Sequence, residues 1–143
     1  MVYKKILVGI DGSEASLKTA RRAAEIAKSM GSSLLLVSIV PPPTVLLGEL
    51  LVPEVVDTRP LKEAAEKALS KLKETIASDY GIEAQTIVAI GDPGDQIVEI
   101  ASQEDVDLIV VGRRGLSRLE RLFIGSVTKK VLERTHTDVL VVI

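Results

Sequence analysis

The sequence predicts a doubly wound α/β domain, an open and mostly parallel sheet with helices on both faces, and three observations carry that prediction. Five short apolar runs recur along the chain, amphipathic helical patterns fill the gaps between them, and the two kinds alternate from end to end. The runs are Ile6 to Ile10, Leu34 to Val40, Thr86 to Ile90, Leu108 to Val111 and Val139 to Ile143. Each is too continuous for a half-exposed alternating strand and too short for a helix, so each reads as a parallel strand covered on both faces. Strands that alternate with helices need right-handed crossovers, which lay helices on both sides of the sheet.

The first helical pattern sets Leu17, Ala20, Ala23 or Ala24, Ala27 and Met30 at three-and-four spacing, with Gly31 as its stop. The second uses Leu61, Ala65, Ala68, Leu69, Leu72 and Ile76 in the same way and stops at Gly81. Asp92 and Pro93 read as cap and first turn of a third helix that carries Ile97, Ile100 and Ala101. A fourth begins near Ser126 and is expected to bury Val127, Val131 and Leu132. Between the second run and the second helix, Pro41 to Pro60 shows no clear helical or strand period, yet it is rich in Leu and Val. Two expectations stand level for this insertion: it packs on its own subunit, or it covers a ligand or a partner chain.

A length of 143 residues suits one domain, read as residues 1–143, with no repeat or linker dividing it. Hydrophobic residues make up 46% and charged ones 27%, a globular balance. Lys and Arg number 18 against 20 Asp and Glu, so no basic excess favours nucleic acid or an anionic membrane. The absence of Cys removes disulfides, thiolate nucleophiles and zinc–sulfur sites. Only five uncharged residues, Ile6 to Ile10, follow the opening lysines, too few for a signal-peptide core. No apolar run approaches the roughly 18 residues of a membrane helix, and the expectation is a cytoplasmic protein.

In open α/β sheets ligands bind beyond the carboxyl ends of the strands, so chemistry is sought directly after the apolar runs. After the fourth run come Gly112, Arg113, Arg114 and Gly115, then nine residues, then Gly125 and Ser126 opening a helix. Glycines admit a ligand close to the backbone, and a helix start offers N–H donors and the positive end of a dipole, which suits phosphate. Ser126 adds a hydroxyl, and Arg113, Arg114, Arg118 and Arg121 against Glu120 make this segment cationic on an acidic chain. Singly, these are turn glycines, a helix-capping Ser and solvated arginines; their coincidence on one loop favours an anion site. Asp11, with Gly12 and Ser13 behind it, follows the first run, and two roles are open to it: capping the first helix, or accepting a hydrogen bond from a base or sugar.

These residues resemble the ATP-binding branch of the universal stress proteins. Gly112, Gly115, Gly125 and Ser126 match the branch's pattern of Gly, two residues, Gly, nine residues, Gly, then Ser or Thr. The stretches Lys5 to Ser13, Asp107 to Gly112 and Val139 to Val142 are similar to the family's first, fourth and last strands, so that the resemblance spans essentially the whole chain. It implies a five-stranded sheet in order 3-2-1-4-5, with the loops after Ile10 and Val111 facing each other across one crevice. It implies that Asp11 and the backbone near Ile39 hold adenine and ribose, that Val111 to Gly115, Arg113 included, line the triphosphate, and that Gly125, Ser126 and Val127 bind phosphates. The implied cofactor is ATP, with Mg or Mn carried by its phosphates, because no carboxylate cluster forms a cage for the ion. The chain departs from the family at Arg113 and Arg114, where a small polar residue and His are frequent, and at Asp138, where Pro is frequent.

A terminal apolar strand at a sheet edge needs cover, so a homodimer paired through Val139 to Ile143 is expected, as the resemblance also implies; shielding by a helix or by the 41–60 segment is the alternative. Catalysis has little support. His136 is the sole His and suits a helix C-terminus, and neither a Gly-x-Ser-x-Gly elbow, a Walker pattern nor a dinucleotide fingerprint occurs. The expected function is an ATP-binding, nucleotide-responsive stress module with an unidentified protein partner and at most slow ATP hydrolysis. The alternative is a dimeric interaction protein of the same fold that binds no nucleotide.

Overall fold

The computed structural model describes residues 2–42, 44–47, 49–53, 57–113 and 125–143. Its parallel sheet comprises β1 (Lys5–Gly9), β2 (Ser33–Val40), β5 (Gln85–Ile90), β6 (Leu108–Gly112) and β7 (Asp138–Val142). A separate antiparallel ribbon pairs β3 (Thr44–Leu47) with β4 (Leu50–Pro53). The helices are α1 (Glu14–Met30), α2 (Arg59–Tyr80), α3 (Pro93–Gln103) and α4 (Ser126–Arg134). Sheet order is β5-β2-β1-β6-β7 with every pairing parallel. Counted within that sheet alone, this is the order 3-2-1-4-5.

The continuous apolar runs are explained by two cores, one on each side of the sheet. Ile6, Val8, Leu34, Leu36, Leu108 and Val110 point to one face and pack with Ala20, Ala23, Ala24 and Ala27 of α1 and Leu69 and Ile76 of α2. The intervening Leu7, Leu35, Val37, Ile109 and Val111 point the other way, onto Ile97, Ile100 and Ala101 of α3 and Val131 of α4. Period-two alternation is therefore present, but both faces are apolar and the sequence reads as an unbroken run. The alanine stripe gives α1 a face without bulk, so the helix lies close against β1 and β6. Gly31 ends α1 at φ 70°, a left-handed conformation that favours glycine, with its N–H donating to the Ala27 carbonyl.

Four expectations are corrected. The 41–60 segment, although its sequence shows no clear period, holds the β3–β4 ribbon, and α2 already starts at Arg59. The signal was the Gly-Glu pair at 48–49 of the sequence, a turn-forming dipeptide between two largely apolar tetrads that do not alternate. Leu132 is not buried but 44% exposed, and Thr128 is the buried companion of Val131 on α4. Leu17 and Leu61 are likewise exposed although their spacing assigns them to the core. The strand boundaries of β1 and β7 each fall one residue earlier than their apolar runs.

Leu36 is fully buried, beside Val8 and Thr86 in the neighbouring strands, and its truncation leaves a cavity that a two-sided core cannot close. Leu36→Ala is expected to cost about 2–5 kcal/mol, whereas Leu132→Ala stays within about 0.5 kcal/mol. Urea unfolding followed by circular dichroism measures both.

Candidate functional site

A parallel sheet wound both ways turns the N-termini of its helices toward the carboxyl ends of its strands. The connections leaving β1 and β6 lie on opposite faces, so the strand ends part there and leave a crevice. That crevice is a cleft of about 450 Å³. β1 contributes Gly9, followed by Ile10 and Asp11; β2 contributes Val37 to Val40, followed by Pro41; β6 contributes Val111 and Gly112. The first turns of the helices close it: Ser16 of α1, Leu61 of α2, Pro93 and Ile97 of α3, and Gly125 to Thr128 at α4.

The helix starts differ in how their N–H groups are occupied. At α1 the cap is Ser13, not Asp11: Ser13 Oγ accepts from the Ser16 N–H at 3.1 Å. Asp11 stands behind it, its Oδ1 accepting from the Ser13 N–H at 2.9 Å and the Ser13 hydroxyl at 2.6 Å. At α3 the Asp92 carboxylate accepts from the Asp95 N–H at 3.1 Å. At α4 the cap is Gly125, with Ser126 as the first helical residue, so the capping position brings no side chain to its own N–H groups.

The start of α4 is held in place from two sides. On the sheet side, the Arg113 N–H donates to the Val142 carbonyl at 2.9 Å and the Gly125 N–H to the Arg113 carbonyl at 2.7 Å. On the helix side, Lys130 donates to Asp92 at 2.8 Å and Arg134 pairs with Asp95, which ties α4 to the first turn of α3. Gly94 permits this approach, because a Cβ there would fall 2.8 Å from Lys130 Cδ. The Lys130 ammonium beside Asp92, with the Asp95 N–H second, holds the Asp92 carboxyl below the usual carboxylate range.

Of the residues singled out in the sequence, Ile10, Asp11, Ile39, Val111, Gly112, Gly125, Ser126 and Val127 all line the cleft. Arg113 does not; it lines an adjoining cavity of about 170 Å³ with Lys18, Thr19 and Val142. Its side chain therefore leaves the main cleft uncrowded. Gly115 lies outside the described residues, as do Arg114, Arg118, Glu120 and Arg121. His136 is exposed beyond the end of α4. Sequence reasoning missed Pro41, Leu61, Pro93 and Ile97 as wall residues. The available signal was topological: β2 ends over the same crevice, and the starts of α2 and α3 face it.

Fold and cleft together define a class, the doubly wound α/β domains with a ligand-sized cavity at the switch point. Residues 2–142 match the universal stress protein family, and the chain belongs to that family. A universal stress protein of Methanocaldococcus jannaschii is 37% identical over 99% of this chain and 82% of its own length. A universal stress protein solved in complex with cAMP is 27% identical, with a TM-score of 0.75 over 99% of this chain and 98% of the other. UspA from Lactobacillus plantarum, at 23% identity, shares the fold with a TM-score of 0.82 over 100% of this chain and 99% of its own.

Asp92 joins a helix cap to an inter-helix ion pair, so Asp92→Ala is expected to cost about 1 kcal/mol at neutral pH. Its carboxyl titrates lower folded than unfolded, so this contribution is complete above the unfolded value of about 3.9 and fades as pH falls through the lower folded value. Urea midpoints of wild type and variant, apart at pH 7, converge in acid.

Proposed function

We propose that this universal stress protein binds an adenine nucleotide, ATP in the first place, in the cleft between the ends of β1 and β6, and serves as a nucleotide-responsive module of the stress response. The observation that carries this reading is the start of α4: a glycine-capped helix terminus, rigidly mounted, opening onto a cleft of nucleotide size opposite a carboxylate. Ser126 and Val127 supply backbone N–H donors and Ser126 a hydroxyl for phosphates, while Gly125, its own N–H held by the Arg113 carbonyl, brings no side chain in their way. Val111, Gly112 and, outside the described residues, Gly115 line the phosphate chain, and Arg113 adds positive charge from the adjoining cavity. The apolar wall of Ile10, Val37 and Ile39 suits the faces of a purine, and Asp11 Oδ2 can accept from a ribose hydroxyl or the base. The cAMP complex of a related protein supports the adenine class.

Among the described residues no three His, Asp or Glu side chains converge on one point, so a Mg or Mn ion would be held by the phosphates and water. Asp11 is the only ionisable side chain among the described residues of the cleft, and its Oδ1 is occupied by Ser13. This favours binding over chemistry, with ATP hydrolysis slow at most. No helix of the described residues is long and apolar enough to cross a membrane, and a cytoplasmic site of action is part of this reading.

A second element of the reading is a homodimer through Val139 to Ile143. β7 is an edge strand, and Val139, Leu140 and Val141 are only partly buried there. Leu140→Lys is expected to convert a dimer to monomer in sedimentation velocity; a wild-type monomer refutes the dimer.

Calorimetry with ATP and magnesium tests the site. Wild type is expected to bind near the micromolar level, roughly −8 kcal/mol, and Gly125→Val to lose binding because its side chain blocks the phosphates. No heat with ATP, ADP, AMP or cAMP would return the protein to the dimeric interaction reading.

A further inference from the structure

We infer that Thr128 is a positioning residue for phosphate recognition: its buried hydroxyl locks the first turn of α4 to the end of β6, so that the phosphate donors are in place before a ligand arrives. This rests on the nucleotide reading above. Thr128 is 4% exposed, and its Oγ1 donates to the Gly112 carbonyl at 2.5 Å. A buried hydroxyl is retained against a hydrophobic core only where it is satisfied, and threonine is a poor helix former. Valine has the same shape and would fill the site without a polar atom to satisfy. The feature that distinguishes threonine here is the hydrogen bond across to the strand.

That bond connects the two halves of the glycine motif, Gly112 on β6 and Gly125 at α4, which lie far apart in sequence. Together with the Gly125–Arg113 and Arg113–Val142 backbone bonds it makes a clamp running from β7 through β6 into α4. The two backbone bonds end at the cap, outside the helix. Thr128 is the contact that reaches inside it, in the turn whose N–H groups face the cleft. Without it the first turn can tilt or fray, and a phosphate must then order its own binding site, at a cost in affinity.

The test compares Thr128→Val and Thr128→Ser with wild type in two ligands, ATP with magnesium and adenosine, by calorimetry, alongside hydrogen exchange of the unliganded proteins. Thr128→Val is expected to weaken ATP about tenfold, the scale of one lost hydrogen bond, while adenosine changes less than twofold. Amides 129–131, the first in α4 with intrahelical partners, should exchange faster in this variant, and Thr128→Ser should restore both the ATP affinity and the protection. Equal weakening of ATP and adenosine would mean general loosening and would overturn the inference. An unchanged ATP affinity in Thr128→Val overturns it as well, with the nucleotide reading intact. Failure of wild type to bind either ligand overturns both.

Discussion

Burial of the parallel sheet on both faces is the constraint from which the rest of this molecule follows. With Ile6 and Val8 committed to one side and Leu7 to the other, the middle of the central strand has no position at which a polar group can stand. Chemistry is driven off the strands and onto their carboxyl ends, where the backbone leaves the sheet. The same winding directs the helix starts to that edge, so the places where N–H groups lack intrahelical partners collect around one cavity. The cleft is thus a product of topology first and of side chains second.

Side chains decide how that edge is divided. Ser13 with Asp11 behind it serves α1, and Asp92 serves α3, both with atoms of their own segments. Gly125 brings no such atom to α4. A fold that presents several similar helix termini to one cavity becomes selective by covering some, here α1 and α3, and leaving others, here α2 and α4, without a side-chain cap. The pairing of Lys130 and Arg134 with the acids of α3 adds to this, because it spends cations from α4 on fixing the helix rather than on the ligand.

The fold was legible in the sequence because its strongest signals are local. Apolar runs, the αL glycines Gly31 and Gly81 and the Asp92-Pro93 cap each declare themselves within a few residues. The glycine spacing from Gly112 to Gly125 was equally plain, and it drew most of the candidate site with it. What stayed hidden depends on contacts between distant segments. The ribbon of β3 and β4 does not alternate, Leu132 fits the helical period yet faces outward, and Ser13 takes the cap because Asp11 sits two residues further back. That Arg113 lines the adjoining cavity and not the main cleft is a matter of how the chain leaves β6, which no spacing encodes.

The Asp11 carboxylate faces two ways. One oxygen steadies the residue that caps α1, and the residue also lies on the wall of the cleft. A 17-residue helix and the cavity therefore draw on a single group. Any molecule that engages this carboxylate stiffens or loosens the beginning of α1, and by reciprocity any change that frays α1 alters how well the cavity holds its guest. Substitutions along the outer face of α1, remote from the cavity, thereby become a means of tuning its occupancy without touching its walls.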